Sequence, residues 1–196
     1  MSSFLTSKKA ALRPVESEDY KLIHKWLNDP KNTRYMFYGQ TPMNLEQVAA
    51  LISAQVTAPH NTVFIVENHV NVPAPCGFAG LYNIHPTARG AEFRIFLDSV
   101  VWGNGIGTEV TELLTFYGFD RLNLHRIWLG VTSENKGAVR TYEKAGYTVE
   151  GVLRDDIYRN SRYYDSIRMA ILRDEYYTKL FEAHKKRFAP EPEEKK

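Results

Sequence analysis

One cysteine, Cys76, stands in a chain of 196 residues. That excludes an internal disulfide and a Cys-rich zinc site, and leaves a small buried hydrophobe as the ordinary reading of the residue. Long apolar runs are missing too. A stretch such as Val48 to Ile52 falls far short of the ~18 residues that a membrane span needs, and the first residues hold no apolar signal core. The chain therefore reads as soluble and cytoplasmic, with no membrane partner. Neither sign of charge is in excess: 25 Lys and Arg against 23 Asp and Glu leave a net +2, too near neutral for a nucleic-acid surface. The six histidines form no close helical pair of metal ligands and His125 reads as structural, so no metal is expected. No Gly-x-Ser-x-Gly elbow is present, and there is no internal repeat.

What is there is a globular composition, 43% hydrophobic with 10 Phe, 12 Tyr and 3 Trp, sized for one domain and unlike a disordered chain or a coiled coil. Only Pro190 to Lys196, proline and charge alone, reads as a disordered end. Ala11 to Val15 reads as a strand. Ser17 is placed to cap a helix carrying Leu22, Ile23, Trp26 and Leu27, which Asp29-Pro30 stops. Asn44 and Gln47 have capping-box spacing ahead of Leu45, Val48, Leu51, Ile52 and Val56. Strands follow at Thr62 to Glu67, Cys76 to Tyr82 and Ala91 to Leu97. In the last, Phe93, Ile95 and Leu97 share one face and Glu92, Arg94 and Phe96 the other. Ile106 to Tyr117 predicts a helix of about three turns, Arg126 to Thr132 a strand, and Val139, Tyr142 and Ala145 a short helix closed by Gly146. A hairpin turning near Asn160-Ser161 ends the pattern.

The sharpest local signal is the glycine-rich turn Trp102-Gly103-Asn104-Gly105-Ile106-Gly107-Thr108, set between a strand and a helix. Glycines let amides approach an anion there, and the helix N-terminus adds partial positive charge. Thr108 stands where a dinucleotide fingerprint needs its third glycine, and no Gly-Lys-Ser/Thr follows, so neither a Rossmann nor a Walker loop fits. A tight turn that binds nothing remains the alternative for the motif by itself.

A second motif, Asn135-Lys136-Gly137-Ala138-Val139-Arg140-Thr141-Tyr142-Glu143-Lys144-Ala145-Gly146-Tyr147, follows the next strand. With the glycine turn it resembles the GNAT superfamily of acyl-CoA-dependent N-acetyltransferases, over roughly Leu12 to Leu172. Leu12-Arg13-Pro14, Trp26 to Pro30, Ala91-Glu92-Phe93 and Asp165 to Leu172 look like the branch of ribosomal-protein, spermidine and amino-sugar acetyltransferases. The resemblance implies an α/β fold with a mixed, mostly antiparallel sheet, splayed between the strands at Ala91 to Leu97 and Arg126 to Thr132. Residues 10–175 would form the domain, with residues 1–9 as an extension and 176–196 as a helical extension and charged tail.

The family's pattern implies that acetyl-CoA is the co-substrate, with its pyrophosphate on the amides from Gly103 to Thr108. Trp102 departs from the Gln or Arg usual at the head of that turn. Asn135 would bond the cofactor arm, or simply cap its helix. An amine of pKa roughly 10 is mostly protonated at pH 7, so a base is needed, and Glu92 is the candidate, working through water; the alternative is a pair with Arg89 or Arg94. An amide near Leu97 would serve the oxyanion. Tyr142 matches the family's general acid, the more so because Ala138 stands where ribosomal-protein relatives often have serine; a packed core tyrosine is the alternative. Arg34, Tyr35 and Tyr38, with Tyr158 and Arg159, would flank an acceptor that is a small-molecule amine or a peptide N-terminus. Carboxylates that would suit a polyamine are missing from the first loop. A homodimer is compatible with this reading, and a non-catalytic acyl-CoA sensor or scaffold is the alternative function.

Overall fold

The computed structural model describes residues 3–37, 41–70 and 72–189. Two short strands, β1 (Leu5–Thr6) and β2 (Ala10–Pro14), lead into α1 (Tyr20–Leu27), α2 (Pro30–Thr33) and α3 (Leu45–Thr57). Three strands follow, β3 (Thr62–Asn68), β4 (Ala74–Tyr82) and β5 (Gly90–Leu97), then α4 (Ile106–Asp120), β6 (Arg126–Thr132) and α5 (Lys136–Lys144). The hairpin β7 (Thr148–Arg159) and β8 (Arg162–Leu172) precedes α6 (Arg173–Lys179) and α7 (Phe181–Phe188). The eight strands make one sheet in the order β1-β2-β3-β4-β5-β6-β8-β7. β5 and β6 are its parallel pair; the other neighbours are antiparallel.

Local chemistry sets most boundaries. Asn44 Oδ1 accepts the Gln47 N–H and Gln47 Oε1 accepts the Asn44 N–H, both at 2.9 Å, the expected capping box at the head of α3. Asn160 and Ser161 both take φ near +50 to +60°, as a two-residue hairpin turn requires. Ser17 does not cap: Asp19 reaches back to the Glu16 N–H instead, because its carboxylate is already held there by Arg13. Asp29-Pro30 ends one helix and opens another, since the Asp29 carboxylate accepts the Lys31 N–H and proline suits a first helical turn. α4 runs past the Ile106 to Tyr117 pattern to Asp120, because Phe119 continues its buried side.

The sheet is covered on both faces. Phe93 joins the larger core with α4, while Phe96, the alternate residue on β5, packs with Ile23, Trp26, Val48 and Ile52 of α1 and α3. The face that also carries Glu92 is therefore a second core, not a solvent face. Cys76 is buried, and desolvation, helped by Asp98 and Glu67, pushes its thiol up to about 12, so it is inert as well as hidden. Within residues 1–9, Leu5–Thr6 already pair with β2. Among the described residues no helix is long and apolar enough to cross a membrane; the proline and charge tail at Pro190 to Lys196 lies outside them.

α6 and α7 close over the outer side of α4. Tyr176 stacks on Phe119 with centroids 4.7 Å apart, and Phe181 and Phe188 lie against Phe116. His184 is buried among these rings, 3.3 Å from the Tyr176 hydroxyl, and desolvation together with Arg187 lowers its pKa from 6.5 to about 4. The unfolded chain takes up a proton there below pH 6.5 and the native chain only below about 4. Stability is therefore complete above 6.5 and is lost as pH falls through that window, by up to about 3 kcal/mol. Denaturant titrations between pH 7 and 4.5 should show a shallower dependence on pH in His184→Gln than in the parent; equal slopes would remove this histidine from the acid response.

Candidate active site

β5 and β6 start together and then part. Their register runs only through Gly90 with Arg126, Ala91 with Ile127 and Glu92 with Trp128, and beyond these pairs the two strands open. Leu97 lies on the open part of β5. The Asp98 N–H donates to the Cys76 carbonyl on β4, and successive amides of a strand face opposite edges, so the Leu97 N–H faces the gap. On the other bank, at the end of β6, Thr132 Oγ1 is the one buried side-chain polar atom without a partner among the described residues. A buried orphan of this kind fits a place that a polar group enters.

The glycine turn sits at the mouth of this gap. Gly103 and Gly105 take φ of +82° and +80°, the left-handed conformation that favours glycine, and Gly105 is the N-cap of α4. No described residue accepts from the amides of Gly105, Ile106, Gly107 or Thr108, which leaves a row of donors at the positive end of a 15-residue helix. A Cβ on Gly107 would lie 3.5 Å from Leu97 and 3.8 Å from Thr141, so the turn touches both the end of β5 and α5. Lys9, to which no sequence signal points, braces it from behind, with Nζ on the Asn104 carbonyl at 3.0 Å. Trp102 has work of its own: its indole N–H donates to the Leu97 carbonyl at 2.9 Å, and its ring lies near Tyr35 and the Arg34 guanidinium.

Tyr142 and Glu92 stand on opposite faces of β5. The Tyr142 ring meets Phe93 edge-on at 6.1 Å, just past the last β5–β6 pair, and its hydroxyl has no hydrogen-bond partner among the described residues. Burial pushes this phenol up from its ordinary value. Glu92, on the α1 and α3 side, pairs with Arg94 at 2.6 Å and accepts from Asn83 at 3.2 Å. Asn135 is the N-cap of α5, with Oδ1 accepting the Ala138 N–H at 3.1 Å and its NH₂ group left over.

On the same side as Glu92, residues 30–37 span the gap's mouth. Asn32 Oδ1 accepts the Ser99 N–H after β5, and the Phe37 ring lies 3.3 Å from where a Gly130 Cβ would be on β6. Arg34 and Arg159 line one cavity of about 400 Å³ beside this segment. Arg159 is buried, donates to the Met36 carbonyl and pairs with Glu134, so it clasps the hairpin to the loop. Tyr158, its neighbour, faces the other way and lies against Tyr163 at 5.0 Å. Strand alternation separates those two residues; applied to the hairpin, it is the sequence signal that distinguishes them. Tyr38 lies outside the described residues.

Comparison with known proteins agrees with this architecture. Residues 9–148 match the model of the Acetyltransferase (GNAT) domain. The chain is 32% identical over 165 residues to spermidine N(1)-acetyltransferase of Escherichia coli K12, covering 84% of this chain and 87% of that one. It is 30% identical over 171 residues to the Vibrio cholerae spermidine N(1)-acetyltransferase, covering 87% and 96%. The Vibrio cholerae enzyme's crystal structure with CoA and spermine superposes with a TM-score of 0.78 at 30% identity, covering 86% of this chain and 98% of that chain. The splayed parallel pair, the left-handed glycine turn and these matches together show that the chain belongs to the GNAT acetyltransferase family and is an acetyl-CoA-dependent N-acetyltransferase.

Proposed function

We propose that the gap between β5 and β6 holds the acetyl thioester while an amine of a small molecule, or of a peptide N-terminus, attacks it directly in a ternary complex. The observation that carries this reading is the opening of the strands past Glu92 and Trp128, with the Leu97 N–H turned into it and Tyr142 on one face. The amides from Gly103 to Thr108, around Asn104 and Ile106, bind the pyrophosphate, with Trp102 fixing the turn through Leu97 rather than touching phosphate. The free NH₂ group of Asn135 bonds the pantetheine arm.

Acid and base stand on opposite faces of β5, which suits an amine that enters from one side of the sheet and a coenzyme whose sulfur leaves on the other. Glu92, on the acceptor face, takes the amine proton through water; the N–C bond forms as the carbonyl electron pair moves onto oxygen, and collapse of that tetrahedral oxyanion breaks the C–S bond while Tyr142 protonates the departing sulfur. The Leu97 N–H meets the oxygen on which charge develops. Burial raises the Tyr142 phenol, so it stays protonated until it donates. Arg34, Tyr35, Tyr158 and Arg159 belong to the segments around the acceptor, with Arg159 holding the loop. Residues 10–175 hold the groups given roles here, while Lys9 and Leu5–Thr6 before them and α6 and α7 after them support the same core. Val149, Val152 and Leu153, exposed on the edge strand β7, are where a second copy of the chain would pair. The setting is an aqueous, cytoplasmic one.

Acetyl-CoA at about 100 times its Kd should add ~2.7 kcal/mol to the stability of the native state, read as a rise in melting temperature. Gly107→Val keeps a helical backbone and places its branch between Leu97 and Thr141, at the row of amides. Its affinity for acetyl-CoA should fall by about tenfold or more, ~1.4 kcal/mol. A parent protein without a thermal shift would overturn the reading; undiminished affinity in the variant would move the phosphates elsewhere.

A further inference from the structure

The lining of the cavity beside residues 30–37 mixes Leu27, Pro30 and Pro42 with polar and basic side chains. Asn28, Thr33 and Asn160 contribute to it together with Arg34 and Arg159, and no carboxylate lines it among the described residues. Its volume of about 400 Å³ suits a small-molecule group. The two arginines differ. Arg159 is buried and its charge is met by Glu134. Arg34 is exposed, and no described carboxylate pairs with it; its guanidinium carbon lies 4.7 Å from the Tyr35 ring centre and 4.8 Å from that of Trp102. Two aromatic rings flank the group, and contacts of this kind lower the entropy lost when it binds. They also place it over the end of β5, since Trp102 is bonded to Leu97.

We propose that this cavity selects acceptor amines carrying an anionic oxygen group, a carboxylate or a phosphate, a few bonds from the reacting nitrogen, and that Arg34 is the residue that selects them. A planar guanidinium offers two parallel N–H donors to either group, which gives orientation as well as attraction. The relatives above are named for spermidine, a polycation. A second ammonium in this cavity would meet the like charge of Arg34 and find no carboxylate in the described lining, while Glu134 already holds Arg159. Discrimination by charge thus runs against a polyamine and toward an amino acid or an amino-sugar phosphate. The proposal rests on the reading that the acceptor enters on this face.

The test uses matched acceptors with acetyl-CoA, followed by thiol release: glucosamine 6-phosphate against glucosamine, β-alanine against propylamine, and spermidine. The anionic member of at least one pair should have a kcat/KM at least about tenfold above its neutral match and above spermidine, and the responding pair names phosphate or carboxylate as the group recognised. Arg34→Met should bring that ratio to about one with the KM for acetyl-CoA unchanged, and Arg34→Lys should restore part of it. The inference is overturned if neither pair favours its anionic member, if spermidine is the best substrate, if the ratio survives in Arg34→Met, or if acetyl-CoA binds and neither anionic probe is turned over. A protein that neither binds acetyl-CoA nor releases thiol with any amine would instead overturn the reading of the site itself. The wild-type ratios decide the matter even if a variant fails to fold.

Discussion

Tyr142→Phe should lower turnover on a good amine acceptor by about 10² to 10⁴-fold while the KM for acetyl-CoA and the melting curve stay close to those of the parent. The ring keeps its contacts with Phe93 and Tyr147, at 6.1 and 6.3 Å, and the hydroxyl that is removed bonds to no described residue, so no buried hydrogen bond is lost. Tyr147 supplies the control. It is buried against the same cluster, and its hydroxyl lies 2.9 Å from Thr115 Oγ1. Tyr147→Phe should therefore lose about 1 kcal/mol of stability without a specific loss of turnover. Because burial raises the Tyr142 phenol, its deprotonation should cause no alkaline fall in kcat below pH ~10. Near-parent turnover in Tyr142→Phe would end its assignment as the acid.

Arg13→Met should destabilise the fold by about 3 to 5 kcal/mol, the scale seen when one partner leaves a buried ion pair. Arg13 makes a two-point contact with Asp19 at 2.7 and 2.8 Å and a third bond to Glu67 at 2.8 Å. Its side chain and that of Asp19 are only 6% and 8% exposed. Desolvation alone would raise the Asp19 carboxyl, yet Arg13 and the Glu16 N–H together bring it below its ordinary value. Without the arginine, the carboxylate would be charged, enclosed and unpaired. Glu67, more open to solvent, tolerates the loss better. Denaturant unfolding measures the effect, and the double variant Arg13→Met with Asp19→Asn should recover part of it. A loss below about 1 kcal/mol in the single variant would mean that water reaches Asp19.

Short-range chemistry is the part of this molecule that its sequence spells out. The Asn44 and Gln47 box, the Asn160-Ser161 turn, the alternation of Phe93 and Phe96, and the glycine turn all depend on residues within a few positions of one another, and each stands where that spacing puts it. Asp29-Pro30 carries both a stop and a start in the same two residues, and the new turn that its cap and proline open is tied down by the Asn32 bond to Ser99, 67 residues away. Arg159 is legible as a cation but not as a clasp, because its partners Met36 and Glu134 are 123 and 25 residues away. The bracing of the glycine turn by Lys9 spans 95 residues and has no local signature. Glu92 was readable either as a base or as an ion-pair partner of Arg94; the pair is formed, and a base at this position has to work from within it.

The three register pairs that join β5 to β6 divide the molecule in a way that bears on how it assembles. β1 to β5 lie side by side in chain order, and β6 to β8 form a second group closed by a hairpin. Contacts inside each group can form early, whereas the parallel junction has to wait for α4 to cross over. The gap is thus the seam where two halves dock, expected to be among the last parts of the sheet to be completed and among the first where interior amides should exchange with solvent. A ligand lying along both banks would act as a ninth strand, mending from outside the line along which the polypeptide leaves the interior of its own sheet unfinished.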